Sequence, residues 1–133
     1  MDYLIQREVI SMTILSIVLQ SLLVLYYVFS GFAKILGAKY WVEMFKHLEL
    51  PQWFRVVTGF VQLVGAAILI IGYWFPGAIA WAGIWLGITM LLACLAHFRV
   101  KDSFSKIAPA FVFAVINIIL IIINANDMLH PFS

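Results

Sequence analysis

The sequence predicts an all-α membrane protein, a four-transmembrane-helix bundle with a short amphipathic interfacial helix between helices 1 and 2. Three observations predict it. Hydrophobic residues make up 65% of the 133 positions and charged residues 11%, whereas a soluble domain carries roughly 25% charged and about 45–50% apolar residues. Three stretches, 9–33, 56–98 and 107–126, contain no Asp, Glu, Lys or Arg. Each meets the ~20 residues needed to cross a core of about 30 Å at about 1.5 Å per residue. Seven of the eight Lys and Arg residues lie in or at the ends of two connecting segments.

The elements follow in order, within one domain over 1–133. The first stretch gives a span at about 9–31. It is too long for a signal-peptide core and no small-x-small cleavage site follows, so it is expected to be retained. The segment "KYWVEMFKHLEL" comes next. Tyr40, Trp41, Met44, Phe45 and Leu48 share one helical face, while Lys39, Glu43, Lys46 and His47 take the other. This predicts a helix at about 38–49 lying flat on the membrane surface, although a groove on a soluble partner would accept the same face. The 56–98 stretch holds two spans, about 56–73 and 77–98. "GYWFPG" supplies the turn, because Pro76 cannot continue a helix and Tyr73, Trp74 and Phe75 suit an interfacial belt. The last span is at about 107–125.

Composition also excludes functions. The net charge is +2 with no basic block, so no nucleic-acid partner is expected. The single cysteine, Cys94, cannot form an internal disulfide, which removes thiol oxidoreductases needing a cysteine pair. It reads as a packing residue. His47, His97 and His130 are far apart and no second cysteine joins them, so no metal site is expected. No carboxylate falls inside a span, as a small multidrug exporter would require. No nucleophile–base pair, phosphate-cradling glycine loop or redox pair is present, so the reading leans away from an enzyme in its own right, which stays open as a third hypothesis.

Each span carries a stripe at helical spacing. In the first, Thr13, Gln20, Tyr27 and Lys34 recur every seven residues, beside Ser16 and Ser30. In the second the stripe is Thr58, Gln62, Gly65 and Gly72. In the third it is Ala80, Gly83, Gly87, Met90, Cys94 and His97, and in the fourth Ala110, Ala114, Asn117 and Asn124. Turned inward, the small residues let backbones approach, as in "GIWLG", and the amides find partners away from lipid. Trp81 and Trp85 fall off the stripe and are expected to be lipid-facing or interfacial bulk. Asn124 is expected to be a hydrated helix end.

"FSGFAKILG", "FKHLELPQWF", "GFVQLVGAAILIIG", "ACLAHFR" and "SKIAPAF" resemble, in order and spacing, the DoxX-like family of small four-span membrane proteins. The likeness covers roughly 23–126. It implies the four-span fold and a membrane location, and relatives include subunits associated with quinone-linked sulfur oxidation. A quinone cofactor is implied by this resemblance alone. Relatives often carry glutamate where this chain has Gln62, so a mechanism using an intramembrane carboxylate there does not transfer.

Lys34, Gln62 and His97 are expected at similar depth near the basic loops. Ser30 lies one turn from Lys34, and Gly31 leaves room for a neighbouring helix. Asn117 is a further inward polar residue. Two readings stay open. In one, Lys34 snorkels to the interface, Gln62 and Asn117 tie helices together and His97 caps its helix. In the other, Lys34, Gln62, His97, Ser30 and Asn117 are ligand-binding candidates around a polar pocket, with Lys34 as fixed charge and His97 as a proton carrier. For the whole chain, the expectation is a non-catalytic subunit or scaffold of a membrane complex, quinone-linked by resemblance. The alternative is a small-molecule binder or permease for a quinone, lipid or weak anion. The expected partners are the bilayer and a membrane or soluble protein.

Orientation follows from the basic residues. Lys34, Lys39, Lys46 and Arg55 surround the first connection, and Arg99, Lys101 and Lys106 the third. Both loops are expected to be cytoplasmic in the cell membrane, with both termini outside. A reporter fused after Ser133 should therefore read as external and one placed within 101–106 as cytoplasmic. The opposite pattern in both fusions would refute this orientation.

Overall fold

Each predicted span forms one long helix, and the amphipathic segment forms a fifth. The computed structural model describes residues 2–129. Among these the elements are α1 (Tyr3–Leu36), α2 (Lys39–His47), α3 (Gln52–Ile71), α4 (Pro76–Arg99) and α5 (Phe104–Asn124), followed by a 3₁₀ turn at Ala125–Asp127. His130 lies outside the described residues. α1, α3 and α4, with α5 and its 3₁₀ turn, are long and apolar enough to cross a membrane. α2 is shorter and amphipathic, and its placement suits the predicted interfacial helix.

α1 departs from its expected length. Its 34 residues span about 51 Å at ~1.5 Å per residue, well beyond a hydrocarbon core of about 30 Å. Residues 2–15 are all exposed, and packing begins at Ser16. Thr13 therefore does not belong to the inward stripe. Its hydroxyl donates to the Val9 carbonyl of its own helix instead.

Three helices end in the same six-residue turn. After α1, Gly37 has φ 78° and the Ala38 amide donates to the Ala33 carbonyl at 2.9 Å. After α2, Glu49 has φ 58°, with Glu49 N–H donating to Lys46 and Leu50 N–H to Phe45. After α4, Lys101 has φ 60°, with Lys101 N–H donating to Phe98 and Asp102 N–H to His97. A left-handed residue at this position satisfies carbonyls that would otherwise be unpaired. Arginines complete two of these ends from other helices. Arg55 of α3 donates to the Lys34 carbonyl, and Arg99 of α4 to the Leu48 and Glu49 carbonyls. Positive charge is favoured there by the helix dipole as well.

The helices pack through their small residues. A Cβ placed on Gly59 would lie 2.7 Å from the Gly31 carbonyl, and one on Gly31 would lie 3.0 Å from the Gly59 carbonyl. The backbones of α1 and α3 therefore meet directly. Gly65 receives the Leu86 side chain of α4, and Gly83 faces the Asn117 carbonyl of α5. Leu23, Tyr27, Ala66, Leu69, Ala82, Leu86, Ala114 and Leu120 fill the centre. Cys94 lies buried on the same inward face of α4. Trp81 and Trp85 are about half exposed, as expected of lipid-facing residues, and their indole N–H groups donate to the Met128 and Val61 carbonyls.

Asn124 is not a hydrated helix end. It is buried and donates to the Ser16 hydroxyl at 3.1 Å and to the Leu120 carbonyl. The cause is the long α1, which carries Ser16 alongside the last turn of α5. Near it, Gln20 donates to the Leu69 carbonyl at 2.7 Å, so the far end of the bundle is also tied by amides.

Two substitutions test this packing. Gly59→Ala should destabilise the bundle by about 1–3 kcal/mol, since a backbone carbonyl and not a flexible side chain blocks the new methyl. Gly87→Ala should be tolerated, because its Cβ would meet the Asn117 Cβ at an ordinary 3.5 Å. Equal losses for the two in denaturation from mild detergent would contradict this packing. Separately, Glu49→Gly should raise stability by about 1 kcal/mol, by relieving a left-handed conformation that costs an L-residue roughly 1–2 kcal/mol. An unchanged or lowered midpoint in the same assay would contradict the turn.

Candidate functional site

The Gly31–Gly59 contact determines what faces what at the basic end of the bundle. Ser30 and Lys34 lie on either side of Gly31 in α1, and Gln62 is one turn after Gly59 in α3. The Ser30 hydroxyl donates to Gln62 Oε1 at 3.0 Å, and Lys34 Nζ donates to the same oxygen at 3.0 Å. Lys34 also sits over the Trp41 ring of α2, 4.1 Å from its centroid. Gln62 is fully buried and Lys34 is 5% exposed. Among the described residues Lys34 forms no ion pair, because each ion pair found there involves Asp102.

The other half of the Gln62 amide is unusual. Its Nε2 is buried and has no hydrogen-bond partner. A buried donor left unmade costs about 1–3 kcal/mol. Lys34 and Gln62 both line a cavity of about 550 Å³ enclosed by α2, α3, α4 and α5 with Tyr26 and Lys34 of α1. Its other walls are chiefly apolar and aromatic, including Trp41, Phe45, Phe54 and Phe113. The Tyr26 and Phe113 rings stack with centroids 3.9 Å apart. The polar part of the cavity wall thus includes the Lys34 amino group and the Gln62 primary amide, both carrying hydrogen-bond donors.

His97 lines the same cavity but joins a different cluster. Its Nδ1 lies 2.6 Å from Asp102 Oδ2, and His47 Nε2 lies 2.6 Å from Asp102 Oδ1. Lys106 Nζ is 3.8 Å from the same carboxylate. The turn ending α4 brings this about, since it folds Asp102 back so that its amide bonds the His97 carbonyl while its carboxylate bonds the His97 ring. The hydrogen bond from His97 holds the Asp102 carboxyl below the usual aspartate range, and His47 and Lys106 act in the same direction against the effect of burial.

Of the five sequence candidates, the structure brings Lys34, Gln62 and Ser30 into one hydrogen-bonded group and places His97 on the same cavity. Asn117 lies apart. It donates to the Tyr27 hydroxyl at 3.0 Å and to the Phe113 carbonyl, and its Oδ1 is buried without a partner. Asp102, His47, Trp41 and Tyr26 were not singled out as site residues from the sequence. Asp102 carries a signal in hindsight, being the one acidic residue between Glu49 and Asp127 and lying five positions after His97.

A model of the DoxX-like family matches residues 18–120, which include every residue of the cavity wall. An uncharacterised protein of Bacillus subtilis (strain 168), YdgD, is 29% identical over 108 residues, covering 80% of this chain and 95% of that one. No solved structure matches. With four apolar helices in a bundle and a family match across most of its length, the chain belongs to the DoxX-like family of multi-pass membrane proteins.

Proposed function

We propose that this protein is an intramembrane binding protein for a largely apolar small molecule carrying an oxygen-acceptor headgroup. The unpartnered Gln62 Nε2, fully buried beside the Lys34 amino group, which has no counter-charge among the described residues, carries the reading. In a membrane interior such groups are costly, and an acceptor arriving between them removes both costs at once. A quinone carbonyl, a lipid carboxylate or a weak organic anion supplies that acceptor, and the aromatic walls suit an apolar body. The basic loops support placing the headgroup end of the cavity on the cytoplasmic side of the cell membrane.

A second reading, a non-catalytic subunit or scaffold of a larger membrane complex, is favoured by α1. Residues 2–15 are all exposed among the described residues, the apolar Leu4, Ile5, Val9, Ile10 and Ile14 included. The two readings are compatible, since a binding subunit can deliver its ligand to a partner. Co-purification of a stable partner from mild detergent, lost on deleting residues 2–15, is the expected result for the subunit role. Purification of the chain alone from native membranes would count against it.

The binding reading is tested by native mass spectrometry of protein extracted with its own lipids. Wild type should retain a small molecule. Lys34→Met should lower its occupancy about 10- to 100-fold at unchanged protein level, the equivalent of one charged hydrogen bond of roughly 1.5–3 kcal/mol. Gln62→Glu should place a carboxylate where Oε1 now meets Lys34, neutralise the site and also release the ligand. Retention unchanged in both variants would show that Lys34 and Gln62 only hold helices together.

A further inference from the structure

Asp102 holds two histidines that face different surroundings. The His47 side chain is 41% exposed, that of His97 is 9% exposed, and the carboxylate between them is 4% exposed. We propose that His47, Asp102 and His97 form a proton-exchange site serving the cavity. In it His97 takes up a proton as an acceptor headgroup binds, Asp102 positions the His97 ring, and His47 stands on the water side. The proposal rests on the cavity being a ligand site.

The geometry assigns the protons. An ionised carboxylate can only accept, so His97 Nδ1 and His47 Nε2 each donate to Asp102. That fixes the neutral His97 ring in one tautomer and leaves Nε2 as its basic nitrogen. Nε2 makes no hydrogen bond to any described residue, and the ring lines the cavity. Proton uptake forms one N–H bond at Nε2 and breaks one O–H bond of a hydronium ion, which is left as water; no oxidation state changes. The imidazolium is then paired with the Asp102 carboxylate.

The surrounding charges make this uptake depend on the ligand. Lys106 of α5 lies 3.8 Å from Asp102, and Lys34 of α1 lines the same cavity. Both oppose a second positive charge on His97. Arg99 of α4 is turned to the Leu48 and Glu49 carbonyls, His47 of α2 shares the carboxylate, and α3 offers the uncharged Gln62. An anionic or acceptor headgroup in the cavity shifts the balance toward the protonated ring. By linkage, protonation of His97 must tighten binding of that headgroup. Affinity is therefore highest at low pH and is lost as pH rises through the His97 midpoint. A purely structural clamp would bond the two rings to Asp102 in the same way but would show no such coupling.

The test uses the full chain in detergent and decanesulfonate, an apolar tail on an anion that does not titrate. Its affinity should fall about tenfold between roughly pH 5.5 and 8.5. His97→Gln should still bind through Lys34 but with a clearly shallower pH profile than wild type. Nitrogen-15 spectra of labelled histidine should show the Nδ1–H tautomer at high pH and a His97 midpoint that rises on adding the sulfonate. Asp102→Asn should lower that midpoint. Binding with a flat profile in wild type, a wild-type profile in His97→Gln, or a midpoint unmoved by Asp102→Asn overturns the proton site while leaving the cavity reading intact. No binding at any pH sinks the cavity reading and the coupling together.

Discussion

The direct backbone contact of α1 with α3 at Gly31 and Gly59 is the constraint on which the polar end of this bundle depends. Lipid gives no hydrophobic drive for one helix to join another, so close packing and interhelical hydrogen bonds must supply it. Removing two side chains lets the helix axes approach far enough for Gln62 to receive donors from both Ser30 and Lys34. A wider separation would strand all three groups. The same contact places Lys34 under Trp41 and so orders the surface helix α2 above the cavity. Small residues, polar centre and surface helix are thus successive consequences of one approach.

The bundle is otherwise thorough in satisfying its amides. Gln20 and Asn124 pair across helices, and Ser16 serves as partner to the latter. Against that background two buried atoms stand out, Gln62 Nε2 and Asn117 Oδ1. They differ in setting. Gln62 opens onto a large cavity with a cation beside it, whereas Asn117 is enclosed among Tyr27, Phe113 and the backbone near Gly83. Of the two, Gln62 is the one that also belongs to the cavity wall.

Much of the fold was legible because it rests on local composition. Uncharged length marked four spans, and the spacing of Trp41, Phe45 and Leu48 marked α2. Every position read as the inward stripe of α4, from Ala80 to His97, is buried, while Ala82 and Leu86 beside it are buried too and were not legible as part of it. The misplacements share one cause. Periodicity put Thr13 on the inward face, and its place at the end of a span made Asn124 a hydrated terminus; neither signal tells how far the neighbouring helix extends. α1 overshoots the bundle at one end, which exposes Thr13 and covers Asn124. At the candidate site the charged and amide members inside the spans were legible because lipid makes them conspicuous. Asp102 and His47 sit in water-facing segments, where charged residues are ordinary. Their meeting depends on a left-handed turn at Lys101, and a lysine gives no warning of one.

The arginines at the helix ends have a consequence for how this protein is read by the cell and by experiment. Basic residues near spans act as an insertion code, interpreted while the chain enters the membrane. Arg55 and Arg99 afterwards serve a folding code, closing the carbonyl ends of α1 and α2. The two codes share letters. Engineering that moves charge across the membrane at Arg55 or Arg99 would disturb helix ends together with sidedness, and a misfolded product would mimic an inverted one. Lys39 and Lys46 lie in the same segment without closing a helix end, so sidedness can be rewritten there while the architecture is left as it is.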